Sequence, residues 1–363
     1  MNKNTKTIVI ASGGTGGHLY PAIEVGNELI NNGFRTIFFL DKRVKDLIGE
    51  KQKIFITAGS PFKLGFFSKL KNVSNLIIGF FQSLYFLSKN KVDLVIGFGG
   101  YLSVPVIIAA WFLKLPVIIH EQNAILGRAN NFCLFFSKKI ALSFKNTSKL
   151  SKSDKIVHTG NPVRPKIADV GRKKFMIPKN KNFNLLIIGG SQGAKIFSDV
   201  IPKAVNLLPK ELKDKIHIFQ QVRKEDEIKV KNFYDTKKIK YNLTNFFNDI
   251  DRYYQIAHIV ISRSGSSSIF EIAAAGRPSI IIPLGSALDN HQYKNAEFML
   301  DNNAVFCIKE EKLSPTFLCE NIKNLMTNEK LLISLSVNAR KQFVKNSAKL
   351  ISDLAKNELE ISS

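Results

Sequence analysis

Ile8-Val9-Ile10-Ala11-Ser12-Gly13-Gly14 and Leu185-Leu186-Ile187-Ile188-Gly189-Gly190-Ser191 are two versions of one signal, an apolar run ending in paired glycines. Each reads as a strand passing through a glycine loop into a helix. The runs carry no alternation of apolar and polar residues, so both faces of each strand must be covered, as in parallel sheets flanked by helices. Similar runs follow. Residues 36–40, 94–96, 117–120 and 139–141 join 7–11 as strands of the first half. Residues 185–188, 216–219, 259–262, 279–283 and 305–308 read as strands of the second. Helical patterns separate them, which predicts an α/β chain of two doubly wound domains. These would face each other across a cleft at the carboxyl ends of their strands.

A length of 363 residues suits two domains, and 45% hydrophobic residues are enough for ordinary cores. The predicted division is 1–163, 164–345 and a helical tail, 346–363, packing back on the first domain. Two prolines within Gly160-Asn161-Pro162-Val163-Arg164-Pro165 interrupt regular structure there, and residues 171–182 are basic and linker-like. The net charge of +24 favours anionic partners, namely phosphates, nucleic acid or an acidic lipid surface, or is a Lys-rich solvated surface. Cys133, Cys307 and Cys319 are too scattered for a metal site and read as reduced thiols. No run of about 20 apolar residues is present, so no membrane-spanning helix is expected. Residues 76–87 are apolar nearly all round, with Lys63, Lys69, Lys71, Lys89 and Lys91 and Phe62, Phe66 and Phe67 nearby. That stretch is either a core helix or one lying on an anionic bilayer.

The chemistry is expected in the loops. Gly13-Gly14-Thr15-Gly16-Gly17-His18 departs from a dinucleotide fingerprint because Leu19 takes the last glycine position, and it has no P-loop Lys. Its glycines would bring backbone N–H groups close to a ligand. Gly97-Phe98-Gly99-Gly100-Tyr101 and His120-Glu121-Gln122-Asn123 follow further strands. His120 and Glu121 read either as a buried pair propping their loop or as groups touching a sugar. Ser191, in the second-half glycine loop, offers a hydroxyl and an N–H. Ser264-Gly265-Ser266-Ser267-Ser268-Ile269-Phe270-Glu271 opens a helix, a setting suited to a pyrophosphate, with Glu271 one turn in and placed for ribose hydroxyls. Asp289 reads as the N-cap of a helix carrying His291 and Gln292.

Taken in order, these motifs resemble those of the MurG family of glycosyltransferases over residues 13–296. The resemblance implies two Rossmann-like domains of the GT-B type. It also implies transfer of N-acetylglucosamine from UDP-N-acetylglucosamine to the C4 hydroxyl of lipid I, with inversion, at the cytoplasmic face of the bacterial inner membrane. Ser191, Ser264, Gly265, Ser266, Ser267, Ser268, Ile269, Phe270, Glu271, His291 and Gln292 match donor-binding positions, as does Arg164. Phe247 matches the position whose backbone reads uracil. Thr15, Gly16, Gly17 and Asn123 match residues at the donor's sugar and phosphate end. His18, Tyr101 and Glu121 would face the acceptor, with His18 and Glu121 catalytic and His18 the candidate base. His18 has an alternative role in orienting a donor phosphate. The family usually has Ala-x-Thr where Ser266-Ser267-Ser268 stands, often Ile at Phe247 and often Gln at His291. No cofactor, no metal and no nucleic acid are implied, and the partners are the donor, lipid I and an anionic membrane surface. Two other readings are an epimerase of UDP-N-acetylglucosamine on the same fold and a nucleic-acid binder drawn by the charge.

Overall fold

The computed structural model describes residues 5–14, 16–60, 66–178, 182–190 and 193–361. Thr15, Ser191, Phe62 and Lys63 lie outside these residues. The first sheet contains β1 (Thr7–Ser12), β2 (Arg35–Leu40), β3 (Lys53–Phe55), β4 (Leu94–Gly97), β5 (Val117–Glu121), β6 (Lys139–Leu142) and β7 (Ile156–His158). The second contains β8 (Phe183–Ile188), β9 (Ile216–Gln221), β10 (Lys240–Thr244), β11 (Ile259–Ser262), β12 (Ser279–Ile281) and β13 (Phe306–Cys307). Every pairing is parallel. The strand orders are β3-β2-β1-β4-β5-β6-β7 and β10-β9-β8-β11-β12-β13.

Helices α1 (Gly16–Asn31), α2 (Phe66–Lys89), α3 (Ser103–Phe112) and α4 (Arg128–Cys133) accompany the first sheet, and α5 (Pro165–Val170) follows it. With the second sheet come α6 (Lys195–Asn206), α7 (Lys210–Lys213), α8 (Glu227–Thr236), α9 (Ile250–Ile256), α10 (Ser266–Ala275), α11 (His291–Asp301), α12 (Pro315–Thr327) and α13 (Glu329–Lys341). The last helix is α14 (Ser347–Ile361). The chain divides into two units. One is Met1–Val163 together with Val344–Ser363, the other Arg164–Phe343. Residues 171–182 therefore lie inside the second unit, between α5 and β8.

Successive side chains of β1 point to opposite faces and meet different covers. Val9 and Ala11 join Val95, Val106 and Ile119 on one face. Ile8 and Ile10 meet Leu19, Val25 and Leu29 of α1 on the other, where Ile351, Ala355 and Leu359 of α14 complete the cluster. Asn32 donates to the Ser352 hydroxyl (3.0 Å) beside this contact. In the second unit, Leu185 and Ile187 of β8 pack with Phe197 and Ile201 of α6 and with Leu318 and Ile322 of α12.

All ten expected strands are present. The three not expected, β3, β7 and β10, are sheet edges. All three residues of β3 and of β7 are half-buried, and β10 has exposed Lys240 and Asn242, so none shows the continuous apolar run of an interior strand. Asp289 is not the N-cap of α11. It sits at φ 52° in a 3₁₀ turn over Leu288–Asn290, and Asn290, at φ 56°, occupies the cap position. The tight turn delays the helix by a residue, so His291 becomes its first residue.

Candidate functional site

In each sheet the strand order reverses once, between β1 and β4 and between β8 and β11. Connections on either side of such a point leave in opposite directions and open a crevice at the strands' carboxyl ends. Both crevices are lined by the glycine loops.

In the first unit the loops after β1 and β4 touch. A Cβ on Gly13 would meet Leu102 Cβ at 3.0 Å, and one on Gly100 would meet Gly13 Cα at 3.4 Å. Gly14 and Gly99 have φ of 83° and 81°, a left-handed conformation that other residues adopt only with strain. Gly16 and Gly17 open α1 and His18 stands in its first turn. The His18 ring lies beside Gly99, where a Cβ would come within 3.4 Å of Nδ1 and Cε1. Its Nδ1 is 3.0 Å from the Gln122 side-chain oxygen. Tyr101 follows the β4 loop and is half-buried.

Behind these loops lies a buried polar network. His120 is fully buried, which pushes its imidazole down to about 4, with the Gly160 carbonyl opposing this and His18 adding slightly to it. Its Nε2 faces the Gly160 carbonyl (3.4 Å) and the Ser143 hydroxyl (3.3 Å). Glu121, 1% exposed, accepts from Asn123 N (2.9 Å), Asn123 Nδ2 (3.2 Å), Gly127 N (3.0 Å) and Asn130 Nδ2 (2.8 Å). Both carboxylate oxygens are thus engaged in holding the 121–130 loop. Of the two readings of Glu121, a group propping its loop or one touching substrate, these contacts describe the first. Their effect is to fix Asn123 and α4.

In the second unit Gly190 and Gly193 have φ of 86° and 70°. Gln221, at the end of β9, accepts from Gly189 N (3.1 Å) and donates to the carbonyls of Gly190 (2.9 Å) and Asn245 (3.3 Å). One side chain therefore ties the glycine loop to the loop bearing Phe247. Phe247 is buried against Tyr253, with ring centroids 4.5 Å apart, so its ring belongs to the core. Sequence reading missed Gln221 because it ended the strand at Phe219. Its position at the carboxyl end of a strand was the available signal.

After β11, Gly265 caps α10 and Ser266, Ser267 and Ser268 form its first turn. Ile269 and Phe270 are buried, so their side chains are packing groups and only their backbone belongs to the helix opening. Ser264 is held by Gln292, whose Oε1 accepts from Leu284 N (3.0 Å) and faces the Ser264 hydroxyl (3.5 Å). Asn295 Nδ2 donates to the Ser264 carbonyl (3.1 Å). Arg263, which the sequence places in this motif without indicating a role, braces the loop. It is 7% exposed and gives both Nη atoms to Glu310 (3.0 and 3.2 Å). Glu271 lies one turn inside α10 and accepts from Arg164 Nη2 at 2.6 Å, with the Tyr254 hydroxyl 3.5 Å from its other oxygen. Burial raises the Glu271 carboxyl above its ordinary value, and Arg164 pulls it back in part. His291 and Gln292 stand at the start of α11. Asp249 and Asp251, an Asp-x-Asp pair absent from the glycine loops, flank the start of α9.

Away from the crevice, α2 is not a core helix all round. Ile77, Ile78, Phe81 and Tyr85 are exposed on it. Aromatic contacts continue the patch from Phe81 through Phe80 to Phe112 (5.3 and 5.5 Å). From there it passes to Trp111 and Phe136 (each step 5.4 Å) and to Phe135 (5.1 Å), which is 76% exposed. Lys71, Lys89, Lys91, Lys114 and Lys138 are exposed on the same elements and their ends.

Residues 8–142 match the glycosyltransferase family 28 N-terminal domain and residues 184–351 its C-terminal domain. A Rickettsia canadensis protein named UDP-N-acetylglucosamine--N-acetylmuramyl-(pentapeptide) pyrophosphoryl-undecaprenol N-acetylglucosamine transferase is 40% identical over 96% of this chain and 98% of its own. The crystal structure of Acinetobacter baumannii MurG superposes with a TM-score of 0.78 at 27% identity, covering 97% of this chain and 99% of that one. A putative UDP-N-acetylglucosamine 2-epimerase from Listeria monocytogenes (TM-score 0.71, 12% identity, covering 99% and 98%) is alike in fold alone. With two family-28 domains and a full-length relative at this identity, the chain belongs to glycosyltransferase family 28 and, within it, to the MurG family.

Proposed function

We infer that this chain transfers N-acetylglucosamine from UDP-N-acetylglucosamine to the C4 hydroxyl of the N-acetylmuramyl sugar of lipid I, giving lipid II for peptidoglycan. The observation that carries the reading is 40% identity, spanning nearly the whole of both chains, to a relative named for this reaction. The two crevices fit it, because each sets a glycine loop against the start of a helix, where N–H groups and the helix dipole favour a diphosphate.

The second unit takes the donor. The N–H groups of residues 264–268 receive the diphosphate, Glu271 the ribose and the backbone at Phe247 the uracil. Gln292 and His291 take the sugar. Arg164 meets the donor's charge and gives up part of its contact with Glu271 to do so. In the first unit Gly16, Gly17 and Asn123, with Thr15, support the sugar and phosphate end, and Tyr101 meets the acceptor. The acceptor oxygen forms a bond to the anomeric carbon as the bond to the diphosphate oxygen breaks. UDP leaves with that electron pair, and His18 takes the hydroxyl proton. A single displacement of this kind inverts the anomeric centre.

The acceptor's lipid requires a membrane, and the exposed aromatic patch of α2, α3 and α4 with its lysines suits an anionic bilayer at the cytoplasmic face. Among the described residues no helix is long and apolar enough to cross a membrane, so attachment through this patch is peripheral.

The test is a transfer assay with labelled UDP-N-acetylglucosamine and lipid I. Label appearing in lipid II only when both are present is the expected result. Consumption of the donor to an epimerised sugar without lipid I would discard the reading.

A further inference from the structure

Gln122 contacts three groups at once. Its Nε2 is 2.9 Å from the Phe98 carbonyl and 3.0 Å from His120 Nδ1, and its Oε1 is 3.0 Å from His18 Nδ1. A carbonyl oxygen can only accept, so the NH₂ end of the amide must face Phe98. The opposite rotamer would press two oxygens together at 2.9 Å. With the amide so oriented, its two hydrogens go to Phe98 and to His120 Nδ1. His120 Nδ1 therefore bears a lone pair, and the ring carries its proton on Nε2, directed at the Gly160 carbonyl and the Ser143 hydroxyl. Gln122 Oε1 is left as an acceptor, and the His18 atom facing it must be a donor.

We propose that Gln122 is a positioning residue for the transfer: it holds the His18 proton on Nδ1, so that Nε2 keeps the lone pair that receives the acceptor's proton. The inference rests on the assignment of His18 as base and names the group that makes it one. In neutral imidazole one nitrogen donates and the other accepts, and the partner of one decides the role of the other. Free histidine side chains favour the proton on Nε2, which would leave His18 with nothing to accept a proton at that position. The ring lies beside Gly99, where no side chain intrudes, and Gln122 holds it at Nδ1. His120 acts one step further back. It can receive the second amide hydrogen only while neutral, and its full burial holds it in that state. An imidazolium there would bring two donors face to face and push the amide off Phe98.

The experiment uses the full chain labelled with ¹⁵N-histidine. Six histidines are present, and the His18→Ala variant identifies the His18 ring signals. The wild type should show a pyrrole-type Nδ1 and a pyridine-type Nε2 at His18. Gln122→Met, which keeps the bulk and removes both the acceptor and the donors, should move the proton to Nε2. It should also lower kcat by about 10- to 100-fold, the range typical when a group orienting a functional histidine is lost, with KM for the donor unchanged. A wild-type His18 protonated on Nε2 would overturn the proposal without recourse to any variant. So would a Gln122→Met protein whose His18 keeps its proton on Nδ1. A proton that moves while kcat stays level also overturns it, and in that case the fault lies in His18 as base, which the His18→Ala turnover judges separately.

Discussion

His120 and the Arg164–Glu271 pair show how single buried groups tie the site to stability. The folded chain keeps His120 neutral down to about pH 4, against an ordinary value of 6.5. A depressed histidine contributes stability that is complete above the unfolded value and is lost as pH falls towards the folded one. The window is thus about pH 6.5 to 4, with a loss on the order of 3 kcal/mol from this group. His258, also lowered to about 4 by burial and then by Arg277, acts in the same direction in the second unit. Trp111 is the chain's single tryptophan and lies in the first unit, so denaturant melts followed by its fluorescence report the His120 unit. Their midpoint should fall steadily between pH 6.5 and 4.5, and a flat midpoint would contradict the burial argument. In the second unit, Arg164→Met leaves Glu271 inside without its cation. The expected cost is about 3 kcal/mol in denaturant melts, the low end for a broken buried pair because Arg164 is partly exposed. Adding Glu271→Gln should return most of it.

Secondary elements differ in how far residues announce them. Interior strands carry continuous apolar runs because helices cover both faces, and each of these was legible. Edge strands β3, β7 and β10 hold half-exposed residues and owe their pairing to a neighbour already in place, a tertiary cause that local pattern does not contain. The loops of the site were legible as glycine-rich strand ends. Gln122, Gln221 and Arg263 were not, because an amide or guanidinium acquires its role only from the carbonyls it reaches: Phe98 for the first, Gly190 and Asn245 for the second, and Ile282 and Pro283 for the third. Glu121 shows the converse. It looked chemical in sequence, and the backbone of its own loop takes up its oxygens. Helix α14 carries a prediction of its own. Ile351 is fully buried among α1 and β1 side chains, so Ile351→Ala should destabilise the first unit by about 2–5 kcal/mol. The Trp111 transition should shift while UDP binding, assigned to the second unit, holds.

At the scale of the whole molecule, a net charge of +24 accompanies the exposed aromatic surface of α2, α3 and the turn after α4. The membrane attachment proposed above would combine a charge-driven approach over a screening length of about 10 Å with burial of the rings. Flotation with vesicles should show binding to phosphatidylglycerol-containing membranes that weakens with added salt. Ile77→Ser with Phe81→Ser should lower that binding by about 10-fold or more, since burying either side chain is worth about 1.5–3 kcal/mol. Donor affinity should stay at its wild-type value. Equal binding by the double variant would move the membrane contact elsewhere.

The first unit is sewn together from both ends of the polypeptide, whereas the second is a single uninterrupted stretch. During synthesis the sheet bearing His18 therefore waits, with one face lacking part of its cover, until residues 347–361 have emerged. The lobe translated later is the first able to complete its core. A lobe divided in this way closes only when residues 347–361 reach it, after the stretch between has had the chance to fold on itself.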